Sequence, residues 1–263
     1  MIIMGNILTV DIGNTNIATC LWNETDKTRL ENIPTNRDYS EGELRDAFLS
    51  VLRSANNQKA EPILGSVVSC VVPSIAKNAI KALSSITEQT PILLSSFMDF
   101  GINFDSYDTK SLGADRVADV AGAISVYGAP VIVCDLGSCT TITAVDKGKR
   151  LIGGTICPGV QMSLDTLNEK IPQLPKVTAA TTDRLIGNDT ASSLLSGAIV
   201  GCAGLIEKTV RKISKLPGME NATLVLTGGN APYILPHLEL DREIHYEPDL
   251  IMDGLFELYT KIC

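Results

Sequence analysis

Short apolar runs alternate with stretches of helical periodicity along most of the chain. Apolar runs that are bounded by Gly, Asp or Pro are typical of buried strands. The predicted strands lie at Ile7–Val10, Ile63–Val72, Val131–Cys134, Ile142–Val145 and Thr223–Leu226. The predicted helices are Glu41–Ala55 (after a Ser40–Glu43 capping box), Ser74–Ser84, Ala114–Tyr127 and Ser192–Ile213. Strands that alternate with helices predict an α/β fold.

One local pattern occurs twice, with its aspartates 135 − 11 = 124 residues apart. An apolar strand ends in Asp11-Ile12-Gly13 in the first copy and in Asp135-Leu136-Gly137 in the second. A polar residue and a second β-prone run follow each, at Ile17–Trp22 and Ile142–Val145. The repeat predicts two similar halves, each with a hairpin whose tip faces a common nucleotide cleft. This is the plan of the actin-like phosphotransferase fold; the alternative is two unrelated strands that happen to end alike.

The length of 263 residues suits two domains. We expect RNase H-like domains at 1–115 and 116–263, with an approximate boundary because the C-terminal helix, about Asp253–Ile262, can pack back. A composition of 44% apolar and 20% charged residues excludes a disordered chain. The net charge of −8 opposes general binding to nucleic acid or to an anionic membrane, so neither is an expected partner.

The cysteines and the lengths of the apolar runs indicate where in the cell the protein is expected. The seven cysteines are odd in number, form no C-x-x-C pair and lie mostly in apolar runs, which is typical of reduced cytoplasmic protein. The apolar start lacks the basic flank of a signal peptide. The longest later apolar run, Leu194–Ile206, is shorter than the ~20 residues of a membrane helix. We therefore expect a cytoplasmic protein without a membrane partner.

The two hairpin tips are the candidate phosphate loops. The sequence contains no G-x-x-x-x-G-K-[ST] motif, so the main chain itself must approach the phosphates. Gly13 and Gly137 permit that approach, and Asn14–Asn16 and Ser138 offer hydrogen-bond donors beside them.

Asp11 and Asp135 supply one carboxylate at each tip. Mg²⁺ prefers oxygen ligands and is commonly held by one or two carboxylates together with substrate phosphates. The two residues therefore predict cation binding with ATP. The alternative for either aspartate is a turn or helix-capping role.

A carboxylate and a guanidinium stand side by side at a predicted helix start, in Gly113-Ala114-Asp115-Arg116. We interpret Asp115 as the base that accepts a proton from an alcohol, and Arg116 as a clamp for a substrate carboxylate. Helix N-capping by Asp115 is the alternative.

Three glycine patterns are less specific. Gly228 and Gly229 follow a strand and would let an adenine ring lie against the main chain, although many turns look the same. Ile152–Thr155 and Pro158-Gly159 are interpreted as loops that border the cleft. The helical residues Gly197, Gly201 and Gly204 would allow close helix approach, in the core or across a subunit boundary.

The order and spacing of eight motifs over almost the whole chain resemble those of type III pantothenate kinases. These are actin-like enzymes that phosphorylate pantothenate with ATP in coenzyme A synthesis. The motifs lie at Asp11–Thr15, Val67–Pro73, Gly113–Arg116, from Asp135 onward, Pro158–Ser163, Ile186–Thr190, Thr227–Gly229 and Asp249–Leu255.

The resemblance implies a set of site residues. Asp115 is the implied catalytic base, and Asp135 the ligand of a monovalent cation, K⁺ or NH₄⁺. Family members take Mg²⁺ with ATP and form homodimers. The implied ATP contacts are Asp11, Ile12, Gly13, Asn14, Thr15, Asn16, Ile17, Ala18 and Ser138. The implied pantothenate contacts are Tyr107, Gly113, Ala114, Asp115, Arg116 and Thr190.

The sequence departs from the family pattern in several places. Ser138-Cys139 replaces Thr-Ala in the second phosphate motif, Tyr107 lies one residue closer to Gly113 than expected, and Ile171–Pro175 replaces a T-A-x-L-P segment. Two rival functions stay open: a non-catalytic ATP-binding accessory factor for transcription, and an actin-like kinase for another small alcohol. The three aspartates argue against the first, and Arg116 favours a substrate with a carboxylate over a neutral sugar.

Overall fold

The computed structural model describes residues 5–23, 26–55, 62–95, 98, 100–105 and 107–263. These residues form two β-sheets with helices. The strands are β1 Asn6–Ile12, β2 Asn16–Trp22, β3 Lys27–Arg29, β4 Ile33–Pro34, β5 Ile63–Cys70, β6 Ile92–Leu93, β7 Val131–Leu136, β8 Cys139–Val145, β9 Leu151–Pro158, β10 Thr223–Thr227 and β11 Ile244–Tyr246. The helices are α1 Glu41–Ala55, α2 Pro73–Ser84, α3 Ala114–Tyr127, α4 Val160–Lys170, α5 Thr190–Ile213, α6 Ala231–Ile234 and α7 Leu250–Ile262.

The chain divides into two compact units. Unit 1 comprises Met1–Phe100, Asp108–Ser125 and Leu250–Cys263, and unit 2 comprises Gly101–Tyr107 and Val126–Asp249. The last helix of the chain, α7, therefore belongs to the unit that contains the first strand. The RNase H-like domain limits expected from the sequence stay a prediction.

The sheet of unit 1 has the order β3-β2-β1-β5-β6, with β4 paired to β2. β1 is antiparallel to β2 and parallel to β5. Alternate residues of β1, such as Leu8 and Val10, pack into a core with α1 and α2. On the other face, Thr9 Oγ1 donates to Met252 Sδ of α7 at 3.2 Å, so α7 covers that face.

Helix α7 also contacts β2 and α3. The rings of Phe256 and Trp22 are stacked with centroids 4.2 Å apart. The crossing of α3 and α7 is so close that a Cβ on Gly254 would lie 1.9 Å from the carbonyl oxygen of Ala118. This crossing fixes the orientation of α3, whose first turn holds Asp115.

The sheet of unit 2 has the order β11-β10-β7-β8-β9. β7, β8 and β9 form an antiparallel meander, and β10 runs parallel to both β7 and β11. Helix α5 packs its residues Ile199, Ile206 and Val210 into the core of this sheet. Among the described residues, α5 is long and apolar enough to cross a membrane by length and composition, which core helices also satisfy. The sequence predicted this helix at Ser192–Ile213, and the apolar run Leu194–Ile206 is only part of it.

Most predicted elements are present. Helices α1 and α3 have the predicted limits, and the capping box forms, with Ser40 N–H donating to Glu43 Oε2 at 2.9 Å. The loop prediction for Ile152–Thr155 was wrong, because these residues and Pro158 belong to β9. Among the described strands, β9 lies at the edge of its sheet next to β8. It contains two glycines and lacks the continuous apolar run of a buried strand.

Candidate active site

The first predicted phosphate loop is the tip of the β1–β2 hairpin. Gly13 N–H donates to the carbonyl oxygen of Asn16 at 3.0 Å and closes the turn. A Cβ on Gly13 would lie 3.1 Å from that same oxygen, so the turn leaves little room for a side chain. Asn14–Asn16 are exposed, and Asp11 is half-buried near the end of β1. The tip therefore presents polar groups to solvent beside one carboxylate.

A segment after β4 braces this tip. Thr35 N–H donates to the carbonyl oxygen of Thr15 at 2.9 Å, and Thr35 Oγ1 donates to that of Gly13 at 2.7 Å. The guanidinium of Arg37 donates to Asn14 Oδ1 at 3.2 Å. No sequence pattern indicates these residues, because they lie in a polar segment without a motif and reach the tip only in the folded sheet.

Ser69 is a further residue near the first tip that was not among the predicted site residues. It lies beside Asp11 in the parallel register of β1 and β5, so both side chains point to the same face of the sheet. Ser69 is fully buried, and its hydroxyl has no hydrogen-bond partner among the described residues. The charge of Asp11 also contributes, after burial, to the raised pKa of the Cys70 thiol. The Val67–Pro73 motif was the sequence signal for this neighbourhood.

Asp115 lies in the first turn of α3. Its Oδ1 accepts the N–H of Arg116 at 2.8 Å, and a Cβ on Gly113 would lie 2.3 Å from the same oxygen. Glycine at 113 is thus what lets the carboxyl group fold back over the main chain. Since α3 begins at Ala114, Asp115 lies inside the helix and is not its N-cap residue.

Burial sets the protonation of Asp115. Desolvation raises the pKa of this carboxyl group, and the Arg116 N–H and guanidinium charge oppose the shift. A carboxylate with a raised pKa is a stronger base than an ordinary surface aspartate, which suits proton abstraction. Arg116 is only 5% exposed. Its role as a clamp for a substrate carboxylate stays a prediction.

The second predicted phosphate loop is the tip of the β7–β8 hairpin. Gly137 N–H donates to the carbonyl oxygen of Cys139 at 3.0 Å, and Ser138 is exposed. Asp135 is half-buried in β7. Strand pairing ends at Leu136 and Thr140 here, but at Ile12 and Ile17 in the first hairpin, so the second tip is one residue shorter.

Gly228 and Asn230 brace this second tip. Gly228 has a φ of +89°, and a Cβ there would lie 2.5 Å from Asp135 Oδ1 and 2.6 Å from the main chain of Leu136. Asn230 N–H donates to the carbonyl oxygen of Leu136 at 2.8 Å, and its amide side chain donates to that of Gly137 at 2.7 Å. The T-G-G motif therefore supports the Asp135 loop directly.

We expect Gly228→Ala to destabilise the protein by about 2–3 kcal/mol, because the left-handed conformation and the contact with Asp135 each oppose a Cβ. Denaturant unfolding would measure the change. Gly229→Ala is the matched control, since no described atom lies within 4 Å of a Cβ there. Equal stability of the two variants would contradict the assigned contact.

The remaining predicted residues lie in unit 2. Tyr107 is half-buried, and its N–H donates to the carbonyl oxygen of Phe104 at 2.8 Å. Thr190 is exposed as the first residue of α5, directly after Asp189, whose side chain accepts the N–H of Ser192 at 2.9 Å. Among the described residues, no three His, Cys, Asp or Glu side chains gather as metal ligands.

Solved structures with the same fold define the class of protein. A candidate Baf family transcriptional activator from Campylobacter jejuni is 18% identical, with 97% of this chain and 98% of that chain covered and a TM-score of 0.60. The activator of 2-hydroxyisocaproyl-CoA dehydratase from Clostridium difficile, solved with ADPNP, is 13% identical over 97% and 93% of the chains, with a TM-score of 0.57. At these identities the likeness shows the fold alone. It confirms the predicted class, an α/β protein of the actin-like type.

Sequence comparison identifies the family within that class. The model of the type III pantothenate kinase family matches residues 7–212. Type III pantothenate kinases of Shouchella clausii and Agathobacter rectalis are each 31% identical, over 97% of this chain and 99% and 97% of theirs. The chain belongs to the type III pantothenate kinase family, and the prediction of an ATP-dependent pantothenate kinase in coenzyme A synthesis is confirmed at that level.

Proposed function

We propose that this kinase transfers the γ-phosphoryl group of Mg-ATP to the primary hydroxyl of pantothenate, with Asp115 as the general base. The observation that carries the proposal is the Asp115 carboxyl group, which folds back over Gly113 at the start of α3 and whose pKa is raised by burial. The product is 4′-phosphopantothenate.

In this mechanism, the pantothenate hydroxyl donates its proton to the Asp115 carboxylate as its oxygen attacks the γ-phosphorus. Phosphoryl transfer passes through a loose transition state with charge on the equatorial oxygens, so proton transfer can lag behind cleavage of the bond to ADP. The N–H of Arg116 holds Asp115 Oδ1 at 2.8 Å and fixes the orientation of the base. Because the first turn of α3 already holds the carboxylate in place, little orientational freedom is lost when the hydroxyl reacts.

We assign the phosphates to the two hairpin tips. Within Asp11–Ala18, the side-chain amides of Asn14 and Asn16 and the hydroxyl of Thr15 donate hydrogen bonds to phosphate oxygens. The Ser138 hydroxyl donates at the second tip. Asp11 supplies a hard oxygen ligand, and a single carboxylate beside phosphates fits the way Mg²⁺ is usually held. Mg²⁺ held there with ATP would neutralise charge that develops on the phosphates. Asp135 holds the monovalent cation.

We assign pantothenate to Gly113–Arg116, Tyr107 and Thr190, and the adenine ring to the main chain at Gly228 and Gly229. Space beside Gly229 supports the adenine assignment, because no described atom would contact a Cβ there. A Cβ on Gly228 would collide with Asp135, so glycine is required at position 228 for the fold as well.

We further propose that the protein is a homodimer in the cytoplasm. Four apolar side chains of β9, α4 and the residue after it are exposed, which is typical of an interaction surface: Ile156, Met162, Leu167 and Ile171. On α5, a Cβ added at any of three glycines would have no described atom within 4 Å: Gly197, Gly201 and Gly204. A helix face with so little side chain suits close approach by a second copy of the chain.

Coupled ADP release with Mg-ATP and pantothenate tests the activity, and its cation dependence tests Asp135. We expect turnover in K⁺ to exceed that in Na⁺ by about tenfold, the rate ratio that corresponds to about 1.4 kcal/mol. Asp135→Asn should remove the difference. Equal rates in both salts would reject the cation role, whereas turnover with a sugar but not with pantothenate would reject the substrate.

The transcription-factor alternative has its own signature. A non-catalytic regulator binds ATP but releases no ADP when pantothenate is added.

Light scattering of the purified protein would test the dimer in parallel.

A further inference from the structure

Arg37 places a positive charge at the first phosphate loop. Its guanidinium donates to Asn14 Oδ1 at 3.2 Å, and the side chain is exposed. The tip residues 13–16 contain no Lys or Arg, and the adjacent Asp11 is negative. A phosphate that enters this tip therefore meets the positive charge of Arg37 at the tip itself.

The main chain around Arg37 is attached to the same tip. Thr35 bonds to both Gly13 and Thr15, and Ser74 Oγ at the start of α2 donates to the carbonyl oxygen of Arg37 at 3.2 Å. The base of the side chain is thus fixed relative to the loop, although the guanidinium itself is in solvent. The fixed main chain and the contact with Asn14 keep the guanidinium within reach of an anion at this loop.

We propose that Arg37 contacts the transferring γ-phosphoryl group and stabilises its charge in the transition state. The inference rests on the proposed function and adds a catalytic residue to it. Guanidinium carries five N–H donors in a planar fork that matches two phosphate oxygens, and the described contact with Asn14 occupies one of them. Equatorial oxygens gain charge in a loose transition state, so this contact strengthens as the reaction proceeds.

Steady-state kinetics of Arg37→Ala and Arg37→Lys test the proposal in the full-length protein. We expect Arg37→Ala to lower kcat about 100-fold with little change in KM, as when one preorganised donor to a developing oxyanion is removed. Arg37→Lys should retain an intermediate kcat, because it keeps the charge and loses the fork.

Arg29→Ala is the matched control. Arg29 is an exposed arginine of β3 whose guanidinium also donates to an asparagine, Asn32, at 3.1 Å. Its replacement should leave kcat unchanged. Thermal unfolding of Arg37→Ala should match that of the wild type, which separates lost chemistry from lost folding.

Chemical rescue adds a readout that a structural role would not produce. Guanidinium chloride at millimolar concentration should restore part of the kcat of Arg37→Ala, whereas NaCl at equal ionic strength should not. An unchanged kcat, or a rise only in the KM for ATP or pantothenate, would overturn the proposal.

Basal ADP release keeps the two proposals separable. Without pantothenate, slow ADP release reports phosphoryl transfer to water, and we expect Arg37→Ala to lower it as well. If the wild type releases ADP but does not respond to pantothenate, the proposed substrate fails while Arg37 is still tested. Wild-type basal release in Arg37→Ala would reject Arg37 alone.

Discussion

Asp115→Asn should lower kcat by about 10²–10⁴-fold, the usual contribution of a positioned acid–base group. Asparagine has nearly the same shape, and its carbonyl oxygen can still accept the N–H of Arg116. It cannot accept the proton of the pantothenate hydroxyl at neutral pH. ATP binding, measured by calorimetry, should therefore stay close to that of the wild type.

Two further measurements make this prediction specific. Asp46→Asn, which changes an exposed carboxylate of α1, should leave kcat unchanged. In the wild type, the acidic limb of the kcat/KM profile should lie above the pH expected for an ordinary aspartate, because the pKa of Asp115 is raised. An Asp115→Asn variant that kept more than about a tenth of wild-type kcat would reject Asp115 as the base.

The same carboxyl group has an opposite effect on stability. Since the folded state raises the pKa of Asp115, the folded protein binds this proton more tightly than the unfolded chain does. Its contribution therefore destabilises the fold as pH rises from the ordinary aspartate pKa through the raised one, and the loss is complete above the raised value. Asp115→Asn removes that cost, so at neutral pH we expect the inactive variant to unfold at the same or a higher temperature than the wild type.

Gly254→Ala should destabilise the protein by about 3–5 kcal/mol, at or above the top of the range for overpacking. The added methyl group would lie 1.9 Å from the carbonyl oxygen of Ala118. Both α3 and α7 would have to move apart, because a backbone oxygen cannot rotate away as a side chain can. For a chain of this size the midpoint of thermal unfolding should fall by about 6–15 °C.

A glycine in another helix supplies the control for Gly254→Ala. Gly42 lies in α1, and no described atom is within 4 Å of a Cβ there. Alanine is the better helix former, so Gly42→Ala should be neutral or stabilising by up to about 1 kcal/mol. If Gly254→Ala were equally harmless, the close crossing of α3 and α7 would be wrong. Loss of the crossing should also lower kcat, since α3 carries Asp115.

Local pattern was enough to predict the parts of the site that lie within one hairpin or one helix turn. The strand that contains Asp11, the strand that contains Asp135 and the helix that begins at Ala114 each have continuous sequence signals. Such signals depend on neighbours a few residues apart, which the chain keeps together in any fold.

The groups that brace these parts were not predictable in the same way. Thr35 and Arg37 reach the first tip through the pairing of β4 with β2, and Ser69 reaches Asp11 through the parallel pairing of β5 with β1. Nothing in a short window of sequence specifies which distant strand lies alongside. The edge strand β9 escaped prediction for a related reason, since an edge strand with glycines carries no buried apolar run.

The chain is synthesised from the N-terminus, so α7 is made long after the first strands that it covers. Unit 1 contains the first strands and the last helix, whereas unit 2 has all its residues before Leu250. At about 5–20 residues per second, about 7–30 s pass between the synthesis of residue 100 and that of residue 249. During this interval the face of β1 and β2 that will contact Met252 and Phe256 has no cover from its own helix. The nascent first sheet therefore keeps this face uncovered until α7 has been synthesised.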